Sequence, residues 1–155
     1  MAWYDDLSPC GYFGPECAAF LRAVGWLENG QPFVTGRVEV EVYQRLVEMC
    51  KNPWQPGFFM GSHRCDLCLY EGQSGKRNVF VPAGEVIFVC PELITHYMNE
   101  HGYRPPDEFC AAVLACPPMR SMPYLKALLA SGGRPLIGQA IEAGPRAAPD
   151  RGGIS

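Results

Sequence analysis

The chain has 155 residues, of which 48% are hydrophobic, 19% charged and 12% aromatic. This length and composition indicate one globular domain and exclude a disordered chain, a collagen-like repeat and a coiled coil. No run approaches the roughly 18 uninterrupted apolar residues that a membrane-spanning helix needs. Thirteen Lys and Arg face sixteen Asp and Glu, so the net charge of -3 offers no global attraction to nucleic acid or anionic lipid.

The first half of the chain is predicted to be mainly helical. A helix is expected over residues 15–27, since Pro and Glu suit its first turn and apolar residues recur at near-helical spacing. A short extended piece is expected at residues 32–35. Residues 38–50 place their apolar side chains on one helical stripe, which predicts a helix. Valines at alternate positions are also compatible with a strand, but the length of the segment favours the helix. Residues 52–61 contain two Pro and two Gly, which predicts a loop.

The second half combines a β-hairpin with further helices. Two short β-type runs, 78–82 and 85–90, are separated by a Pro-Ala-Gly turn. Helices bounded by Pro and Gly are predicted at 91–101, 106–116 and 123–131. The result is a single α+β domain over residues 1–134, in which a small hairpin is surrounded by four or five helices. Residues 135–155 are rich in Pro, Gly and small residues, which predicts a flexible C-terminal tail.

The cysteines fall into two groups. The N-terminal residues lack the basic and apolar regions of a secretory signal, so we expect a cytoplasmic protein whose thiols stay reduced. Most of the eight cysteines are isolated, and burial as small apolar residues is expected for Cys10, Cys17, Cys50, Cys90, Cys110 and Cys116. Cys65 and Cys68 instead form a C-x2-C pair, which can aim both sulfurs at one point.

This C-x2-C pair is typical either of half a metal site or of a redox dithiol. A thioredoxin-like dithiol is expected at a strand-to-helix junction within a βαβ pattern, whereas a turn-rich hairpin follows here. Metal binding is therefore the favoured interpretation. Thiolates and imidazoles are the ligands that Zn²⁺ prefers in structural sites, and the expected cofactor is Zn²⁺.

The histidines supply the expected other half of the site. The chain has only three: His63, His96 and His101. The last two follow an apolar residue on a predicted helix, and the order of Cys pair, hairpin and His-bearing helix is that of a Cys2His2 zinc finger. Residues 69–95 form a longer intervening segment than the roughly 12–15 residues of an ordinary finger, so an enlarged finger-like or treble-clef-like knuckle is predicted.

The identity of the fourth ligand is ambiguous in the sequence. Positions five apart on an ideal helix point about 140° away from each other, so His96 and His101 can share one ion only if the last turn loosens. Gly102 makes that loosening plausible. His63 is the rival, because it shares a face with Cys65 in extended backbone. The favoured ligands are Cys65, Cys68, His96 and His101, with His63 in reserve.

Several segments of the chain resemble a small family of uncharacterised bacterial proteins. The similarity spans roughly residues 3–125, and its most specific parts are the H-x-C-x2-C and H-Y-x3-H-x-Y-x-P-P motifs. These motifs lie in GSHRCDLC (Gly61–Cys68) and PELITHYMNEHGYRPPDEF (Pro91–Phe109). The resemblance implies a bacterial origin and places all five candidate ligands within recognisable motifs. It implies no particular activity.

Two functional classes follow from a zinc site. The favoured one is a non-enzymatic interaction or regulatory module, in which a structural zinc supports a surface that contacts another protein; the candidate contacts are Trp54, Phe58, Tyr97 and Tyr103. The alternative is a small zinc-dependent enzyme of hydrolase or lyase type, with water at an open coordination position and Glu100 as a candidate base. Nucleic-acid binding through Arg64, Lys76 and Arg77 is disfavoured by the acidic balance.

Overall fold

The computed structural model describes residues 2–56, 62–69 and 72–138. The fold over these residues is mixed α+β. In chain order the elements are a 3-10 helix (Pro15–Ala19), β1 (Leu21–Ala23), α1 (Val40–Lys51), β2 (His63–Arg64), β3 (Ser74–Gly75), β4 (Asn78–Ala83), β5 (Val86–Pro91), α2 (Ile94–His101), α3 (Asp107–Ala115) and α4 (Met122–Ala130). None of the described helices combines the length and apolar character that crossing a membrane requires.

The centre of the fold is a three-stranded sheet in the order β1-β5-β4. Strands β4 and β5 form the predicted hairpin, with antiparallel pairing from Asn78–Pro91 to Ala83–Val86. Gly84 forms the turn of this hairpin with a φ of 80°, a backbone conformation that residues other than glycine rarely adopt. Strands β4 and β5 are buried almost throughout, because α3 and α4 pack against β4.

The predicted helix over residues 15–27 is wrong beyond its first turns. The 3-10 helix ends at Ala19, and β1 then pairs in parallel with β5, Leu21 beside Ile87 and Ala23 beside Val89. Residues 23–27 are all buried. A helix on the surface of a domain buries one stripe only, so continuous burial of this segment requires an extended path through the core.

The remaining predicted elements agree with the structure to different degrees. Helices α1, α2, α3 and α4 are confirmed with bounds shifted by a few residues. The extended piece at 32–35 contributes only an isolated bridge between Thr35 and Tyr103. Within the predicted loop 52–61, residues 57–61 lie outside the described part. At the other end, residues 134–138 are helical and Leu136 is fully buried, whereas residues 139–155 of the predicted tail lie outside the described residues.

Two buried side chains bind the sheet through its backbone. The indole Nε1 of Trp26 donates a hydrogen bond to the Val89 carbonyl at 2.9 Å. The hydroxyl of Tyr124, on α4, donates to the Phe80 carbonyl of β4 at 2.6 Å. Because both rings are almost completely buried, each hydrogen bond is made away from water and its loss leaves a polar group without compensation.

We expect Tyr124→Phe to lower the free energy of unfolding by about 1–2 kcal/mol, because it leaves the buried Phe80 carbonyl without this donor. Urea denaturation measures the change. Tyr43→Phe is the matched control, since no hydrogen bond of the half-buried Tyr43 hydroxyl is present among the described residues. Equal stability of the two variants would contradict a contribution from this bond.

Candidate metal centre

Two sulfurs and two imidazole nitrogens converge between the C-x2-C turn and α2. The ligand atoms of Cys65, Cys68, His96 and His101, hereafter the ligand cluster, all lie within 4.8 Å of one another. Cys68 Sγ is 3.7 Å from Cys65 Sγ and 3.3 Å from His96 Nε2. His101 Nε2 is 3.5 Å from both sulfurs. The four residues favoured from the sequence are therefore brought together, in an arrangement compatible with a metal ion.

These separations match the edges of a coordination tetrahedron. Zinc–ligand bonds of about 2.0–2.3 Å at tetrahedral angles would separate two sulfurs by about 3.8 Å and a sulfur and a nitrogen by about 3.5 Å. Four of the six edges have these lengths: the sulfur–sulfur distance is 3.7 Å, and the distances from His96 Nε2 to Cys68 Sγ and from His101 Nε2 to both sulfurs are 3.3 to 3.5 Å. An ion at the centre would face all four atoms, which lie within 4.8 Å of one another.

Hydrogen bonding alone explains the cluster less well. A ring nitrogen either carries a proton or accepts one, and each thiol carries a single proton. Linear hydrogen bonds can then account for at most three of the four sulfur–sulfur and sulfur–nitrogen contacts. A cation satisfies all four contacts at once, because thiolates and neutral imidazoles direct lone pairs toward it.

The turn that holds Cys65 and Cys68 lies between two very short antiparallel strands. Strands β2 and β3 pair His63 with Gly75 and Arg64 with Ser74, and the Cys65 amide extends the ladder by donating to the Gln73 carbonyl at 2.8 Å. We call residues 63–75 the knuckle, within which residues 70 and 71 lie outside the described part. Burial raises the pKa of the Cys65 thiol, and hydrogen bonds from backbone amides of the turn to its sulfur oppose that rise.

The last turn of α2 brings the two histidines together. The Gly102 amide donates to the Tyr97 carbonyl, five residues earlier, where an α-helix would bond four residues apart. This wider turn rotates His101 back toward His96, and the two ring centroids lie 5.1 Å apart. Gly102 makes this ending possible with a φ of 69°. Burial lowers the pKa of His96, and the neighbouring His101 lowers it further.

Two carboxylates tie the knuckle to the rest of the domain. Glu92, just before α2, accepts hydrogen bonds from the Lys76 and Arg77 amides at 2.6 and 2.9 Å and pairs with the Arg77 guanidinium at 3.2 Å. Asp66 accepts from the Asn29 amide at 3.0 Å. Glu92 does not stand out in the sequence as a positioning residue, because an acid at a helix start has an ordinary explanation as a partner of the helix dipole.

His63, the reserve ligand, lies outside the ligand cluster. It is buried, as Cys65 is, but its ring packs against the rings of Tyr12 and Trp26, each with a centroid distance of 5.7 Å. Its Nε2 is 3.5 Å from the Tyr12 hydroxyl. Burial lowers the pKa of His63. His63 and Cys65 are both buried, but the His63 ring faces the aromatic core and not the ligand cluster.

The other cysteines lie outside the cluster. Cys10, Cys17, Cys90 and Cys116 are buried, as expected, whereas Cys50 and Cys110 are half-buried. Burial raises the pKa of Cys10 to about 11 and that of Cys50 to about 12, so these thiols stay protonated at neutral pH.

Two of the four aromatic side chains expected on the surface, Tyr97 and Tyr103, are buried. Tyr97 and Tyr103 are 1% and 0% exposed, so neither can contact a partner. They support the end of α2 from inside instead, and the Tyr103 hydroxyl donates to both carboxylate oxygens of Asp6. Trp54 is half-buried against Phe80, with ring centroids 5.7 Å apart. Phe58 lies outside the described residues.

The profile of a protein family described as a domain of unknown function (DUF7919) matches residues 2–114. The chain belongs to the DUF7919 family. All four residues of the ligand cluster lie within the matched region, as does His63. Comparison with curated proteins and with solved structures found no significant match. The expected membership of an uncharacterised family is confirmed, and this membership assigns no activity to the DUF7919 chain.

In the DUF7919 fold, Gly102→Ala should lower the free energy of unfolding by about 1 kcal/mol, because an L-residue is strained at a positive φ. An added Cβ would meet nothing within 4 Å, so the cost is one of backbone conformation alone. Gly102→Asn should cost less, since Asn tolerates this region better. Gly11→Ala, also in open space but without a positive φ, is the control for urea denaturation. Equal losses at both glycines would refute this explanation of the α2 ending.

Proposed function

We propose that this chain binds one Zn²⁺ in a closed structural site formed by the ligand cluster, and that it acts as a non-enzymatic interaction or regulatory module in the bacterial cytoplasm. The observation that carries the proposal is the agreement of the cluster distances with a tetrahedron of two sulfurs and two nitrogens. Two thiolates with two imidazoles in this geometry favour zinc over the harder cations, which prefer oxygen ligands.

A structural role is favoured over a catalytic one by the number of protein ligands. Catalytic zinc keeps one position open for water or substrate, whereas four side chains here fill the tetrahedron. Five cavities of the described surface have no cluster residue in their linings. Glu100, the candidate base of a hydrolase or lyase, is exposed and accepts a hydrogen bond from its neighbour Asn99 at 2.9 Å.

Zinc would supply the stability that the knuckle lacks. Strands β2 and β3 have two residues each, and an isolated two-stranded hairpin is marginal in water. A structural zinc contributes about 10–16 kcal/mol of apparent binding free energy at neutral pH, against about 5–15 kcal/mol for the stability of a whole domain. The ion would therefore determine whether the knuckle holds one conformation against α2.

The surface of the knuckle is the proposed partner contact. Leu69, directly after Cys68, is 89% exposed, and Arg64 on β2 is also exposed. Tyr97 and Tyr103 are buried and cannot contact a partner protein, so Leu69 and Arg64 are the contact residues of the proposal instead. A zinc ion beneath this surface would hold the Leu69 and Arg64 side chains in fixed positions, which lowers the entropic cost of binding a partner protein.

Protein purified without added metal and without a polyhistidine tag should contain about one zinc per chain, as four protein ligands predict. Elemental analysis of Cys68→Ser and His101→Ala should show loss of zinc, together with a lower melting temperature. His63→Ala should keep its zinc, because His63 lies among aromatic rings outside the cluster. Cys110→Ser, at a half-buried cysteine elsewhere, is the matched control.

Stoichiometric zinc in Cys68→Ser would refute the site. Zinc that is lost with His63→Ala and kept with His101→Ala would move the fourth ligand and leave His101 free for chemistry, which supports the enzyme alternative. Substitution with Co²⁺ adds an independent measurement, since a tetrahedral sulfur and nitrogen environment gives intense visible absorption bands and an octahedral one does not.

A further inference from the structure

A second site is formed on another part of the surface by the N-terminal segment and the loop that follows β1. Here a cavity of about 320 Å³ is lined by three aromatic residues, Trp3, Tyr4 and Phe33, and by two carboxylates, Asp5 and Asp6. Its volume lies at the lower end of the range of about 300–1,000 Å³ for small-molecule sites. Its lining contains no Lys or Arg among the described residues, so its polar character is acidic.

The aromatic walls of this cavity, the Phe33 pocket, are held in place by the core. The Tyr4 ring packs edge-to-face against the buried Trp26, with centroids 5.5 Å apart and an interplanar angle of 85°. The Phe33 ring packs in the same manner against the buried Tyr103 at 6.2 Å. Both supporting rings are fully buried, so the Tyr4 and Phe33 walls are pre-formed, which lowers the cost of ordering them on binding.

Among the described residues, no Lys or Arg forms an ion pair with either carboxylate of the Phe33 pocket. Asp6 accepts from the Tyr103 hydroxyl at 3.0 and 2.9 Å and from the Gly25 amide at 3.0 Å, so its orientation is fixed. Asp5 is exposed at the rim. The ion pairs of the described residues join other acids to Lys51, Arg77 and Arg104. Negative charge beside the aromatic lining is thus uncompensated within this part of the chain.

We propose that the Phe33 pocket binds an organic ammonium group, with the aromatic rings and the two carboxylates as the recognition elements. Rings attract a weakly hydrated cation through their electron-rich faces, and aromatic cages recognise methylated ammonium groups in this way. A metal ion is a poorer fit, because Ca²⁺ and Mg²⁺ require six or more oxygen ligands and both oxygens of Asp6 already accept from protein donors, the Tyr103 hydroxyl and the Gly25 amide. The proposal is independent of zinc.

Two kinds of ligand carry an organic ammonium group of this type: a free small amine and a methylated lysine of a polypeptide. Choline represents the first, and a short peptide with one trimethyllysine represents the second. The uncharged tert-butyl analogue of choline, in which carbon replaces the ammonium nitrogen, has the same shape and tests the charge. Binding to the full-length, metal-replete protein can be followed by NMR through the indole N–H signal of Trp3.

Choline is expected to bind about tenfold more tightly than its uncharged analogue, since cation–π and ionic contacts both depend on the charge. Phe33→Leu should weaken choline binding about fivefold, and Asp5→Asn about threefold with a smaller dependence on salt. Because Asp5 is exposed, Asp5→Asn keeps the test valid if Phe33→Leu fails to fold. Tyr43→Leu and Glu41→Gln, on α1, are the matched controls and should leave binding unchanged.

The two ligands then identify the source. Saturable binding of choline supports a free amine, and binding of the peptide without choline supports a methylated lysine; either result supports the pocket. Equal affinity for choline and its uncharged analogue would overturn the proposal. So would the lack of saturable binding of both ligands up to about 10 mM, a concentration at which a Kd of about 1 mM is readily measured.

Discussion

The convergence of two sulfurs and two imidazoles on one point is the constraint on which the arrangement of the knuckle depends. On one side α2 follows directly after β5 and is anchored by the buried Tyr97, so both histidines have positions fixed by the core. On the other side, the knuckle has only four strand residues of its own. Glu92 holds the residues directly after the knuckle beside the start of α2, and Asp66 joins the knuckle to the Asn29 amide. The ligand atoms of the cluster then lie within 4.8 Å of one another.

The sequence predicted the chemistry of this cluster better than its geometry. Ligand type and element order were sufficient to select Cys65, Cys68 and His96 and to limit the fourth candidate to His101 or His63, and the Pro and Gly that bound the hairpin and α2 are local signals. The choice of His101 over His63 depends on the wider last turn of α2 and on the aromatic rings around His63. Both are features of the folded structure, and an ideal helix in isolation would turn His101 away from His96.

The errors in the sequence-based prediction have the same origin. Phe20, Val24 and Leu27 recur at near-helical spacing, yet Leu21–Ala23 pairs in parallel with β5 as β1, and residues 23–27 are all buried. Tyr103 looks like a surface aromatic beside two prolines. Its hydroxyl instead reaches Asp6, which is 97 positions away in the chain, and no local pattern reports such a contact. Long-range burial competes with local propensity in both cases, and burial decides the structure.

Tyr103 also relates the two sites of the molecule, since it lies two residues after His101 and supports the Phe33 pocket with its ring and hydroxyl. Its own position is secured by contacts that do not involve the ligand cluster, namely the bridge to Thr35 and the hydrogen bond from the next amide to the Val34 carbonyl. If the ligand cluster holds an ion, its loss would therefore release the knuckle, whereas these contacts of Tyr103 do not depend on it. The two sites share one segment but have separate supports, and neither needs the other to be occupied.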